Sequence, residues 1–202
     1  MYIQKFIKGI SGEEPSGLTW QDACDLLNQH RGIQSNWWRH KGTITPAEVA
    51  AVLSEHNLDR HLHDYDNFGY KSPFISLASG CIERDVLLGA NFMYSAKDTA
   101  LDFATGAFEH PGTLFYGWVM VGLNPAVELS AVAESVRDLN VHHRWSPYQL
   151  EGEITAKIHI PANQIERIEW WDPASDPSSP TDVYQNPGYA SAAPVTNMRE
   201  YF

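Results

Sequence analysis

With 202 residues, 43% of them hydrophobic and 12% aromatic, the chain is long enough to bury one substantial core. A formal net charge of −11 argues against a broad electrostatic grip on nucleic acid, although a local basic groove remains possible. Two cysteines, Cys24 and Cys81, give neither a disulfide framework nor metal-ligand spacing, and no stretch resembles a secretory signal or approaches a membrane span; the expected setting is cytoplasmic, in the producing cell or in a target cell reached by a signal-independent route.

Residues 1–17 read as a short mixed start broken by Gly12, Pro15 and Gly17. Leu18 to His30 reads as a helix capped by Thr19, with Trp20, Cys24, Leu26 and Leu27 on its apolar face, so residues 1–35 are expected to form a helical N-terminal part. In SNWWRHKG, residues 35–42, Trp37 and Trp38 favour a strand, and Arg39 within it is either a salt-bridged surface residue or an anion ligand. Thr45-Pro46-Ala47-Glu48 has the form of a capping box with proline at the first helical position, predicting a helix to about His56 or Leu58. Residues 57–71, NLDRHLHDYDNFGYK, read as a solvated loop; His61, His63, Asp64 and Asp66 are metal-ligand types without a second cluster, and no metal is expected.

Phe74 and Ile75 predict a short strand, followed by Ser76 and Ser79, whose hydroxyls bind a ligand or close a turn. Asn91 to Phe108 reads as a helix, and Thr113 to Leu123 as a buried strand interrupted by Gly117. Ala126 to Asn140 is a helix or an open connection. Val141 to Leu150 is a loop rich in rings and cations; its Arg144, Trp145 and Tyr148 either recognise something large or pin the loop to the body. Glu151 and Glu153, one residue apart, stand at the mouth of a strand from Ile154 to Ile160, which Pro161 ends. Two like charges so close form either a site for general base work or cation binding, or a solvated pair. A last strand from Gln164 to Trp171 precedes a Pro/Ser/Ala-rich tail, residues 173–202, extended or disordered, unless Tyr184, Tyr189 and Tyr201 pack it onto the body.

Three segments in one order resemble the mono-ADP-ribosyltransferase toxin superfamily, in its Arg–Ser–Glu branch of cholera-like and pertussis-like toxins: WWRHKG, SPFISLAS and YQLEGEITAKIHIPANQI. The resemblance runs from about Trp37 to Ile168. It implies an α+β fold, a split β-sandwich of two small sheets flanked by helices, over residues 1–172. It also implies NAD as co-substrate, with Arg39 in the family's strand-arginine position binding the pyrophosphate, aided by His40. Ser76 would hold the ribose and the catalytic Glu153 in register, and Glu151 would orient the acceptor and take its proton. Phe74 and Tyr94 would lie near nicotinamide, and Arg144, Trp145 and Tyr148 would recognise the target. After Ser76 the chain has Leu77 and Ala78, where the family usually shows threonine and a small hydroxyl residue. Two glutamates resemble the arginine-modifying members, so a protein arginine is the first expected acceptor. RNA or DNA bases, simple NAD hydrolysis and a non-enzymatic binding module are the alternatives. A bacterial or phage toxin of this kind implies a neutralising partner protein.

Overall fold

The computed structural model describes residues 2–13, 17–79, 81–84, 91–121, 132–135, 153–191 and 198–199, with side chains for 4–13, 17–79, 95–120 and 153–191. The chain opens not with helix but with the long strand β1 (Tyr2–Ser11). Its apolar residues Ile3, Phe6, Ile7 and Ile10 follow a helix-like spacing, because both faces of the strand are covered and strict alternation is lost. Phe6 and Ile10 pack in one cluster and Ile7 in another. Helix α1 (Trp20–Asn28) follows, with Thr19 in a complete capping box, as the sequence predicts.

After β2 (Ile33–Gln34), the double-tryptophan segment is helix α2 (Asn36–Lys41), not a strand. Ser35 starts it by accepting the Trp38 N–H at 3.4 Å, and Gly42 at φ 77° stops it. Helix α3 (Pro46–Val52) has the capping box expected from Thr45 and Glu48 but ends earlier than anticipated. The expected histidine-rich loop is instead helix α4 (Glu55–His63), capped by Ser54, then α5 (Tyr65–Phe68) and a 3-10 turn. The missed signal is Leu58, His61 and Leu62, an i, i+3, i+4 stripe that faces inward.

Next come β3 (Phe74–Ala78), the hairpin β4 (Cys81–Arg84) and β5 (Asn91–Tyr94), and α6 (Ala96–Thr105), so the helix anticipated from Asn91 begins only at Ala96. The remaining strands are β6 (Gly112–Val121), β7 (Val132–Ser135), β8 (Glu153–Lys157), β9 (His159–Ile160), β10 (Ile165–Trp171), β11 (Asp182–Gln185) and β12 (Met198–Arg199). The strand anticipated from Ile154 to Ile160 breaks at Ile158, which has φ 64°.

The expectation of two small separate sheets needs correction. Eight strands form one hydrogen-bonded network, in the order β11-β10-β6-β7-β8-β3-β1-β12, and β1 also pairs with β6. The network nevertheless has two thin seams. Among the described residues, β1 runs beside β6 from Tyr2↔Val121 to Ser11↔Gly112 but meets β3 only at Ile7↔Ala78. Among the same residues β6 meets β7 only at Met120↔Val132 and Val121↔Ala133. Helix α1 covers one face over Phe6, Phe115, Ile165 and Ile168, and α6 covers another over Leu114 and Trp171. Gly9 permits the α6 approach, since a Cβ there would lie 2.0 Å from the Ala100 carbonyl oxygen.

The segment read as a tail is laid against the body as far as residue 191. β11 pairs antiparallel with β10, the Tyr184 hydroxyl donates to Asn28 Oδ1 at 2.6 Å, and Trp118 Nε1 donates to the Ala190 carbonyl at 2.9 Å. Asn186 Nδ2 donates to the carbonyls of Ala162 and Ile165 at 2.8 and 2.7 Å. Replacing Asn186 by Ala leaves two buried acceptors unmet, so Asn186→Ala is expected to lower stability by roughly 2–3 kcal/mol. A shift of the urea midpoint without a change in slope checks this; an unchanged midpoint would show that the segment contributes nothing to the fold.

Candidate functional site

β3 and β8 build the centre of the site. Their antiparallel register sets Ala78 opposite Glu153 and Ser76 opposite Thr155, so Ser76 and Glu153 project from the same side of the pair. The intervening Leu77 points into the core and is 2% exposed. Glu153 is 7% exposed, deep for a carboxylate.

Helix α4 brings His61 to Ser76. Nε2 of the ring lies 2.9 Å from Ser76 Oγ, and Nδ1 lies 2.8 Å from Ser72 Oγ. Phe74 flanks the imidazole with ring centroids 5.7 Å apart, and Tyr65 of α5 meets it edge-on at 5.4 Å. Burial first, and the Lys8 ammonium second, push His61 down to about 3, so the ring is neutral at physiological pH. Burial also raises the Tyr65 phenol, and the Glu153 carboxylate adds to that rise.

From β1 comes Lys8. Burial pushes its amine down to about 8, against the upward pull of Glu153. Lys8, His61, Ser76 and Glu153 all line one cleft of about 1220 Å³, larger than the roughly 300–1,000 Å³ of ordinary small-molecule pockets. The volume leaves room for a dinucleotide and part of an acceptor. Residues of β1 and of β3 line this cleft beside the Ile7↔Ala78 pair.

Arg39 and His40 also reach this cleft, but from exposed positions on helix α2 rather than from a strand. A strand cation, Lys8, does feel the charge of Glu153. Phe74 lines the cleft and is 5% exposed. Tyr94 lies on β5, with its side chain outside the described residues. Glu151, Arg144, Trp145 and Tyr148 also fall outside the described residues. Sequence reasoning missed Lys8, His61 and Ser72. The inward stripe of α4 was the available signal for His61, and a lysine inside the apolar run of β1 was the signal for Lys8. Among the described residues no group of three or more histidine, cysteine or carboxylate side chains is arranged to hold a metal, and no helix is long and apolar enough to cross a membrane.

No protein-family model matches the chain, and no curated protein matches it in sequence. Solved structures do resemble it. EcPltA does so with a TM-score of 0.50 and 14% identity, over 96% of this chain and 90% of that one. A mutant of heat-labile enterotoxin, solved for the flexibility of an active-site loop in its A subunit, matches with a TM-score of 0.44 and 12% identity, over 92% and 75%. The fold is similar to that of EcPltA. Within it the cleft lies where Glu153 and Ser76 leave adjacent strands.

A buried neutral histidine makes stability depend on pH. Between about 6.5 and 3 the unfolded chain binds a proton that the folded chain does not, so stability falls as pH falls through this range. The unfolding midpoint of the wild type should decline between pH 6.5 and 5, and His61→Gln should show a shallower decline. Equal slopes in both proteins would place the titration elsewhere.

Proposed function

We propose that the protein is a mono-ADP-ribosyltransferase that moves ADP-ribose from NAD to a macromolecular acceptor. The observation that carries the reading is the gathering of a strand lysine, a serine and a buried glutamate around one dinucleotide-sized cleft, in a fold like that of EcPltA. The order of sequence motifs supports it independently.

The residues fit NAD as substrate in charge and size. Lys8 is the cation best placed by charge to hold the pyrophosphate, with Arg39 at the rim available for a second phosphate contact. A lysine there is a point charge that can be lost, whereas a guanidinium would grip two oxygens and stay charged. Glu153 opposes the positive charge that develops on the ribose as the bond to nicotinamide breaks, by the electrostatics that serve glycoside cleavage. Ser76 orients the ribose. The acceptor nucleophile then forms a bond to the same ribose carbon, nicotinamide leaves with the bonding electrons, and Glu151 takes the acceptor's proton. The Glu-x-Glu pair makes a protein arginine the first acceptor to test.

Incubating the protein with labelled NAD and a cell lysate, then separating protein, nucleic acid and small molecules, tests the reading. Label on protein is expected, and Glu153→Gln should lower it by roughly 10²–10³-fold or more. Label on nucleic acid would replace the acceptor. Release of free ADP-ribose alone would make the protein an NAD hydrolase, and intact NAD would end the enzymatic reading.

The pH profile distinguishes Lys8 from Arg39. Because the Lys8 amine is pushed down to about 8, kcat/KM for NAD should fall above about pH 8 as the ammonium is lost. Lys8→Arg should retain activity with a profile that stays flat to higher pH. If Arg39→Ala raises KM for NAD and Lys8→Ala does not, the pyrophosphate belongs to Arg39 instead.

A further inference from the structure

The two hydroxyls on either side of His61 are not equivalent. Ser76 Oγ faces the cleft and lies 2.9 Å from His61 Nε2. Ser72 is 1% exposed and has two partners on its oxygen. One is the Phe74 backbone N–H, 3.1 Å away, which can only donate. The other is His61 Nδ1 at 2.8 Å. The Ser72 hydroxyl proton therefore has a single acceptor available, the Nδ1 lone pair.

The alternative arrangement gives Ser72 Oγ two incoming protons, from Phe74 and from Nδ1–H, and leaves its own proton buried with nothing to meet it. An unmet buried donor is the more expensive arrangement. The ring is neutral, as derived above, so exactly one of its nitrogens carries hydrogen. Once Ser72 donates to Nδ1, the hydrogen must sit on Nε2. Nε2–H then donates to Ser76 Oγ, so the Ser76 hydroxyl proton is directed away from the ring, on the side of the cleft.

We propose that Ser72 is a positioning residue that fixes the tautomer of His61 and so turns the Ser76 hydroxyl into a hydrogen-bond donor towards the bound substrate. Through this relay a buried serine that does not line the cleft decides the polarity of one that does. The catalytic consequence rests on the function proposed above; the tautomer assignment does not. Without Ser72, Nδ1 loses its donor, Nε2 becomes free to accept, and the Ser76 proton is drawn back onto the ring. Ser76 would then offer the ribose only an acceptor.

The test reads the tautomer directly. In the ¹⁵N-labelled protein, long-range ¹H–¹⁵N spectra, with His61→Gln used to assign the signal, should show His61 protonated on Nε2 and bare on Nδ1 from pH 5 to 8. Ser72→Ala should shift the ring towards the Nδ1–H form, and Ser72→Thr, which retains the hydroxyl, should restore the wild-type signature. In turnover, Ser72→Ala should lower kcat by about tenfold or more with KM for NAD little changed, and Ser72→Thr should recover most of the loss. An Nδ1–H ring in the wild type overturns the assignment and needs no variant to fold. A tautomer that switches in Ser72→Ala while kcat stays at the wild-type value overturns the positioning claim. Absence of any NAD turnover in the wild type would remove the proposed function, and the spectrum would still decide the relay.

Discussion

The structure depends on how unequally β1 is held. One edge is bonded to β6 along ten residue pairs, while the other, among the described residues, pairs with β3 at Ile7↔Ala78 and with β12 at Ile3↔Met198 and Gln4↔Arg199. A sheet twists as strands are added, and a strand shared by two diverging groups cannot remain paired to both along its length. Polar residues of different strands line the cleft: Lys8 from β1, Ser76 from β3 and Glu153 from β8. Strand pairing therefore places these three groups, and helix and loop residues complete the lining. Binding groups held on paired strands lose little freedom when a ligand arrives.

Two buried carboxylates in this molecule illustrate how surroundings separate structure from chemistry. Glu169 is 7% exposed and accepts from the Tyr116 hydroxyl at 2.7 Å, from Arg167 Nε at 3.1 Å and from Trp171 Nε1 at 3.3 Å. The Arg167 guanidinium also lies over the Tyr116 ring, 3.7 Å from its centroid. That carboxylate is enclosed by donors on β6 and β10 and ties the two strands together. Glu153 is equally buried but lines an open cleft with a lysine of lowered basicity nearby. The first is engaged by three donors within the sheet, and the second lines the cleft.

Much of this was legible from residue types, and the gaps have physical causes. Capping chemistry is local, so Thr19 and the Thr45–Glu48 pair announced α1 and α3 correctly. Ser76 and Glu153 stood out through the resemblance of their segments to a known family, and the β3–β8 register sets them on one side of the strand pair. Arg39 was placed on a strand because tryptophans favour strands, yet the Ser35 cap made the same residues a helix. Lys8 was invisible because burial on both faces of β1 erased the alternation that identifies a strand. His61 was hidden by its polar neighbours on α4, since only one face of that helix turns inward. No local pattern could report Ser72, whose importance arises from a contact made across the fold.

The bend at Ile158 has a mechanical consequence. A β-branched residue rarely accepts a left-handed backbone, yet Ile158 does so at φ 64° and is buried. Its N–H donates to the Pro73 carbonyl and its own carbonyl accepts from Ser35, the residue that starts α2. One strained peptide unit thus joins the approach to β3, the end of β8 and the helix carrying Arg39. Such a joint resists flexing, because neighbouring bonds hold it on both sides. The wall bearing Arg39 is therefore hinged to the strand bearing Glu153, and displacement of one would drag the other.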